Sequence, residues 1–211
     1  MMEKIHSLKP ILFKDMMKLS EKYIEAEKEN INAINYFPIP DGDTGSNMYY
    51  TIQAIVKEIN KMHDDDGNDE IFQAISKGSF VGAKGNSGVI YSQFLIGVVE
   101  YLERIQIITP LTFAKALGEG TELAYEAVLN PTEGTILTVM KRTSDKAIEI
   151  TLEQPNVSWT EFIEPLVEES KQCLEETKEM LEILKEADVV DAGAKGFVHI
   201  LESWKDVINN Q

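Results

Sequence analysis

Cysteine, basic residues and long apolar runs are all scarce in this chain of 211 residues. The single cysteine, Cys173, excludes an intrachain disulfide framework and a multi-cysteine zinc site. It lies among acids on a long predicted helix, with no neighbour to activate its thiol. Lys and Arg number 20 against 36 Asp and Glu, a formal charge of −16. Basic residues nowhere cluster, which excludes the patch that a nucleic-acid binder uses to displace phosphate counterions. No apolar stretch approaches the roughly 18–20 residues that cross a bilayer. The opening Met1-Met2-Glu3-Lys4-Ile5-His6 lacks the apolar centre of a signal peptide. These absences predict a cytoplasmic protein with no nucleic-acid partner and no membrane insertion. Histidine is sparse too: His6, His63 and His199 lie far apart and match no metal-ligand spacing. His199 sits in an apolar helix and reads as a satisfied buried histidine, while Trp159 and Trp204 read as packing.

What is present is helical periodicity over a length that suits one domain, residues 1–211, with a core needing no disulfide. The pattern predicts helices from Ile11 to Ile24, Glu29 to Asn35, Ser46 to Met62, Glu70 to Phe80, Val89 to Leu102, Pro110 to about Leu129, Thr135 to about Thr151, Ser158 to about Leu184 and Phe197 to Ile208. Ser158 and Glu161 have capping-box spacing, and Pro110 stands near a first helical position. His63-Asp64-Asp65-Asp66-Gly67-Asn68 reads as a solvated turn. No convincing strand interrupts the series. The fold class is therefore all-α, with about eight helices in a bundle or barrel whose loops are available for ligands.

Several of those loops carry chemistry. Asp41 and Asp43, two residues apart on a loop entered through Phe37-Pro38-Ile39-Pro40, can converge on one cation, and Gly42 between them admits conformations that other residues resist. Magnesium favours such a pair completed by phosphate and water oxygens. The alternative is a turn in which the acid merely caps the next helix. Thr44-Gly45-Ser46-Asn47 then opens a helix, where free amides and the dipole attract anions. Gly82-Ala83-Lys84-Gly85-Asn86-Ser87-Gly88 repeats the design without the order of a Walker A loop. It reads either as a phosphate cradle or as a tight interhelical turn. Two such loops in one acidic domain, one with paired acids, favour a shared anion. Glu133-Gly134-Thr135 either brings Thr135 to that pocket or simply starts a helix. Asp191-Ala192-Gly193-Ala194-Lys195-Gly196 likewise either lends Asp191 and Gly193 to a nucleobase or ribose pocket or forms a plain helix terminus.

Four segments, in order, carry a family resemblance: Asn32 to Met48 with its Pro40-Asp41-Gly42-Asp43-Thr44-Gly45 centre, Gly82 to Ile90, Glu133 to Thr138, and Val190 to Gly196. Together they resemble the dihydroxyacetone-kinase L-domain family, and more narrowly the N-terminal nucleotide-binding domain of bacterial fatty acid kinase. The resemblance implies an eight-helix barrel with ATP or ADP at one end, and two magnesium ions between aspartates and phosphates. In the sugar-kinase L subunits a third aspartate precedes the pair. Here that neighbourhood holds Asn35 and Tyr36, so Asp41 and Asp43 carry over cleanly and Asn35 is expected to supply an amide oxygen instead. A histidine often follows the second acid in those relatives, where this chain has Thr44; with Phe37-Pro38-Ile39-Pro40, that points to the fatty acid branch.

The expected activity is thus ATP-dependent phosphoryl transfer to the carboxylate of a fatty acid held by a separate acyl-carrying protein, with downstream kinase domains completing the enzyme. An ionised carboxylate requires no general base, and none is evident in the sequence. Two other readings remain open: a dihydroxyacetone-type L subunit with tightly bound ADP, and a non-catalytic nucleotide sensor.

Overall fold

A computed structural model of the chain describes residues 7–62 and 67–210. The acidic turn around Asp64-Asp65-Asp66, His6 and the opening segment, and His63 lie outside the described residues. Within them the helices are α1 (Ile11–Ala33), α2 (Thr44–Ile59), α3 (Asn68–Gly82), α4 (Gly85–Glu103), α5 (Pro110–Glu126), α6 (Ile136–Glu153), α7 (Trp159–Met180), α8 (Glu182–Ala187) and α9 (Ala192–Asn209). No strand occurs among the described residues; Leu8 and Ile108 form one isolated antiparallel bridge. None of the described helices is long and apolar enough to cross a membrane.

Each long helix packs on the next in sequence from α1 to α7, α7 packs on α9, and α9 returns to α1. The result is a closed ring of eight helices, with the six-residue α8 appended to α7. This is the expected all-α barrel. Alternation of direction follows from short connections between antiparallel neighbours. It places the N-termini of α2, α4, α6 and α9 at one end and their C-termini at the other.

Burial fills the ring unevenly. Phe113 of α5 meets Phe13, Trp159, Phe162 and Trp204 at centroid distances of 5.7–6.2 Å, in tilted or edge-on geometry. These rings lie toward the starts of α1, α5 and α7 and the end of α9, and plug the barrel at the end away from the α2, α4, α6 and α9 N-termini. Trp159 and Trp204 are packing residues, as expected. At the opposite end the buried side chains turn polar: Asn35, Thr44, Asn47, Ser87, Thr135 and Asp191. Backbones approach closely where glycines face each other, as where a Cβ on Gly97 would stand 2.7 Å from Gly120 Cα between α4 and α5.

Several boundaries differ from the sequence reading. The two helices expected over 11–35 are the single α1, because nothing between Ile24 and Glu29 breaks a helix and the intervening residues simply face outward. The helix expected from Ser158 to Leu184 is interrupted at Leu181, which is extended (φ −117°, ψ 125°). Gly134 lies against Met180 and Leu181 at that break. Helices α2, α4 and α9 begin earlier than expected, so the glycine-rich segments at Gly85 and Gly193 are first helical turns rather than loops. The capping boxes of α5 (Thr109 with Thr112) and α7 (Ser158 with Glu161) are both formed.

Candidate functional site

Where those four N-termini meet lies a cavity of about 530 Å³, within the range of small-molecule sites. Asp41, Asp43 and Thr44 reach it from the α1–α2 loop and the start of α2, and Gly85, Asn86 and Ser87 from α4. Thr135 enters from α6, Asp191 and Gly193 from α9. The cavity also includes Asn35 and Asn47, so most of the residues singled out in sequence share one space. Among the described residues no Lys, Arg or His lines it.

Three of the expected residues do not line it. Ser46 is engaged with Asn32, whose Oδ1 accepts the Ser46 amide and whose Nδ2 donates to the Ser46 hydroxyl, at 3.1 and 3.0 Å. A Cβ on Gly45 would stand 2.3 Å from the Lys28 carbonyl oxygen, and one on Gly88 2.3 Å from Thr51 Oγ1. Gly45 lets α2 meet α1 backbone to backbone, and Gly88 lets α4 meet a side chain of α2.

The acidic loop is shaped locally. Gly42 takes φ +67°, the left-handed region that glycine enters without strain, and the Phe37-Pro38 peptide is cis. Asn35, 5% exposed, holds the loop from inside: its Oδ1 accepts the amides of Asp43 and Thr44, each at 3.1 Å, and its Nδ2 donates to the Ile39 carbonyl at 3.1 Å. Asn35 was expected to offer that oxygen to a metal; here both of its lone-pair directions are taken by backbone amides. Asp41 is exposed and Asp43 partly so. Among the described residues no group of three or more His, Cys, Asp or Glu is placed to hold a metal. A cation at Asp41 and Asp43 would therefore complete its shell from ligand oxygens and water, a pattern that suits magnesium.

The neighbouring α4 terminus is tied to α2. The Ser87 hydroxyl donates to the Thr44 carbonyl (3.4 Å), and the Lys84 amide donates to Thr51 Oγ1 (3.2 Å). Lys84, at the cap position of α4, supplies no side-chain cap. The first-turn amides of α4 thus reach the cavity wall without competition from a cap.

Across the cavity, Asp191 caps α9 by accepting the Ala194 amide at 2.7 Å, and the Thr177 hydroxyl accepts the Asp191 amide at 3.0 Å. Burial pushes the Asp191 carboxyl up to about 6, against the opposing pull of the Ala194, Ile136 and Gly193 amides. Thr135 caps α6, accepting the Leu137 amide at 3.3 Å. Between these walls runs an apolar side that the sequence reading missed: Ala127, Val128 and Leu129 after α5, with Ile136 and Leu137. Leu129 is 95% exposed beside Asn130-Pro131. The sequence reading carries that helix to about Leu129, whereas α5 stops at Glu126 and frees Ala127, Val128 and Leu129 to line the cavity.

The remaining sequence candidates lie elsewhere. His199 is partly buried and pairs with Glu202 at 3.0 Å and Glu27 at 3.8 Å, away from the cavity. Cys173 is buried, and burial pushes its thiol up to about 11, where it is unreactive at neutral pH.

The chain is similar to several known proteins. Residues 38–206 match the DAK2 domain family. Protein YloV of Bacillus subtilis (strain 168) is 38% identical over 200 residues, 95% of this chain and 36% of that protein. An uncharacterized protein of Staphylococcus epidermidis is 36% identical over 194 residues, 92% of this chain and 34% of that one. The chain thus spans about a third of the length of the curated relatives it matches. Among solved structures, the dihydroxyacetone kinase of C. freundii, crystallised with AMP-PNP and Mg2+, superposes with a TM-score of 0.67 at 16% identity. That likeness covers 95% of this chain and 34% of the kinase chain, and it establishes a shared fold.

Proposed function

The chain belongs to the DAK2 domain family, and on that premise we propose that it is the ATP- and magnesium-binding domain of a phosphotransferase. One observation carries the reading: two carboxylates from one loop share a cavity with an uncapped helix N-terminus, and among the described residues no cationic side chain lines it. A polyphosphate entering so acidic a protein needs positive charge, and the helix termini together with a divalent cation are what this site offers.

In this reading Asp41 and Asp43 hold the metal, while Asn35 and Gly42 keep their loop in shape. The first-turn donors of α4, with Asn86 and Ser87, receive phosphate oxygens, and Thr44 and Asn47 border the same region. The apolar side at Val128, Leu129 and Leu137, near Thr135, Asp191 and Gly193, suits a nucleoside. Bound magnesium supplies charge neutralisation on the phosphates. Phosphoryl transfer asks the protein mainly for such neutralisation and for in-line positioning.

For the acceptor we infer an acyl carboxylate, presented by a separate acyl-carrying protein and worked on with further kinase domains. Two observations support this. Among the described residues the cavity lining contains no histidine or lysine to serve as a base for a hydroxyl acceptor, and its aspartates are taken by the metal or by the α9 amides. The curated relatives are more than twice as long as this chain, leaving room for acceptor-binding parts.

Calorimetry tests the nucleotide reading. AMP-PNP is expected to bind in the presence of magnesium, with affinity falling at least tenfold in excess chelator. Asp41→Ala and Asp43→Ala should each abolish the metal-dependent component while helical circular dichroism persists. Removing one of two close acids relieves repulsion, so the apo variants should melt no lower than the parent. Chelator-insensitive binding, or variants that unfold, would overturn the site assignment. Exchange-resistant ADP would instead favour a dihydroxyacetone-type L subunit, and reversible binding without transfer to any acceptor a nucleotide sensor.

A further inference from the structure

Helices α5, α6, α7 and α9 begin alike. Thr109, Thr135, Ser158 and Asp191 each turn their own side chain back to accept a first-turn amide. Asp191 is the strongest example, at 2.7 Å from the Ala194 amide. Aspartate is among the best residues for this task. Asp43 stands at the same position of α2, yet its side chain makes no capping hydrogen bond.

A cap side chain serves the second or third amide of its helix, here that of Gly45 or Ser46, and the Ser46 amide is taken by Asn32 Oδ1. Asn35 Oδ1 accepts the two amides ahead of these, those of Asp43 and Thr44. Asn32 lies in the last turn of α1, which packs along α2, and Asn35 follows two residues after the end of α1. Their amide nitrogens are also engaged: Asn35 Nδ2 donates to the Ile39 carbonyl, and Asn32 Nδ2 to the Ser46 hydroxyl.

We propose that Asn32 caps α2 from outside while Asn35 holds the loop just ahead of it, positioning residues that leave the Asp43 carboxylate free for a divalent cation. The proposal rests on the nucleotide–magnesium reading above. Its logic is competitive. A carboxylate that accepts a first-turn amide at the head of its own helix is turned inward and partly neutralised. With that amide already bonded, Asp43 has no such partner, and its charge faces the cavity beside Asp41. Neutral amides suit both places twice over. They accept N–H groups without adding a third negative charge beside the pair, and they donate in turn, Asn32 to the Ser46 hydroxyl and Asn35 to the Ile39 carbonyl, which a carboxylate cannot do.

A thermal double-mutant cycle on the metal-free chain tests the capping exchange. In the parent background Asp43→Ala should leave the melting temperature unchanged. In an Asn32→Ala background the Ser46 amide is freed and Asp43 can turn back to cap α2. There Asp43→Ala should lower the melting temperature by about 2–4 °C, the shift that losing one cap produces in a domain of this size. Equal effects in both backgrounds would overturn the proposal. Should Asn32→Ala fail to fold, Asn32→Ser, whose shorter side chain also gives up the Ser46 amide, should give a coupling of the same sign, and none would likewise overturn it. The second arm titrates Mn2+ by electron paramagnetic resonance with AMP-PNP present. Asn35→Ala should weaken Mn2+ about tenfold, and an unchanged affinity would refute the positioning role. If the parent chain itself binds no Mn2+ with AMP-PNP, the nucleotide reading fails, a result separate from the melting cycle.

Discussion

A Cβ placed on Gly85 would stand 2.2 Å from Nδ2 of Asn47, so the first residue of α4 and the first turn of α2 meet with no room for a methyl group. Gly85 also has φ +62°, a conformation that costs an L-residue roughly 1–2 kcal/mol. Gly85→Ala should therefore lower stability by about 1–3 kcal/mol, combining that strain with a displaced Asn47. It should also weaken nucleotide binding, because both halves of the contact border the cavity. Urea unfolding and calorimetry on the same variant check the two effects, and a variant that matches the parent in both would show that the contact is dispensable.

Asp191 gives the apo protein a pH signature. Its folded-state value, about 6, lies above its ordinary value of 3.8. The folded state therefore binds the proton more tightly than the unfolded chain. This group's contribution to stability is fully present below about pH 4 and is lost as pH rises through 6. Asp191→Asn cannot titrate. The stability of the parent relative to the variant should thus be greatest near pH 4 and decline by about 2–3 kcal/mol by pH 7, at 1.36 kcal/mol per pKa unit. Unfolding curves for both proteins across pH 4–7 measure this. A difference that stays flat with pH would mean Asp191 is better solvated than its burial implies.

The acceptor can be decided by competition. The chain, joined by the further kinase domains of its longer relatives, is supplied with ATP and magnesium. It is then given either a fatty-acid-loaded carrier protein or dihydroxyacetone with its binding subunit. Acyl phosphate is the expected product. Phosphorylated dihydroxyacetone with no acyl phosphate would overturn the acceptor assignment and leave the nucleotide site standing. The chain alone should not phosphorylate a free ketose, since among the described residues no histidine or lysine lines its cavity and its aspartates are committed to the metal or to the α9 amides.

The sequence revealed much of this architecture because helices announce themselves locally. Apolar spacing located the helices, and Ser158 with Glu161 and Thr109 with Pro110 marked two starts correctly. The paired acids and both glycine segments stood out because Asp-Gly-Asp and Gly-Asn-Ser-Gly each name a backbone need and a donor set. What escaped was tertiary. Asn35 serves residues eight and nine positions ahead through a loop whose path no periodicity encodes. The break at Leu181 has neither proline nor glycine to signal it and coincides with the approach of Gly134 from another connection. The apolar side near Leu129 and Leu137 exists only because the ends of α5 and α6 converge.

The seam between α1 and α9 differs from every other contact in the ring. Elsewhere, neighbours are consecutive helices, or are separated only by the short α8. At the seam, Ser20 and Ser203, 183 positions apart, share a buried hydrogen bond of 2.8 Å, and Trp204 Nε1 donates to Ser20 Oγ at 3.2 Å. Local pairings form early because they enclose short stretches of chain, whereas the seam must bring the two ends of the row together. The barrel should thus assemble as an open row of helical hairpins that rolls shut last. φ-values near zero at Ser203 and Trp204, against higher ones along α4 and α5, would be the kinetic mark of that order, and high values at the seam would contradict it. Because α9 carries Asp191 and Gly193 into the cavity, the nucleotide site would then be completed only at that final step, and a chain still open at the seam would be folded over much of its length yet unable to hold its ligand.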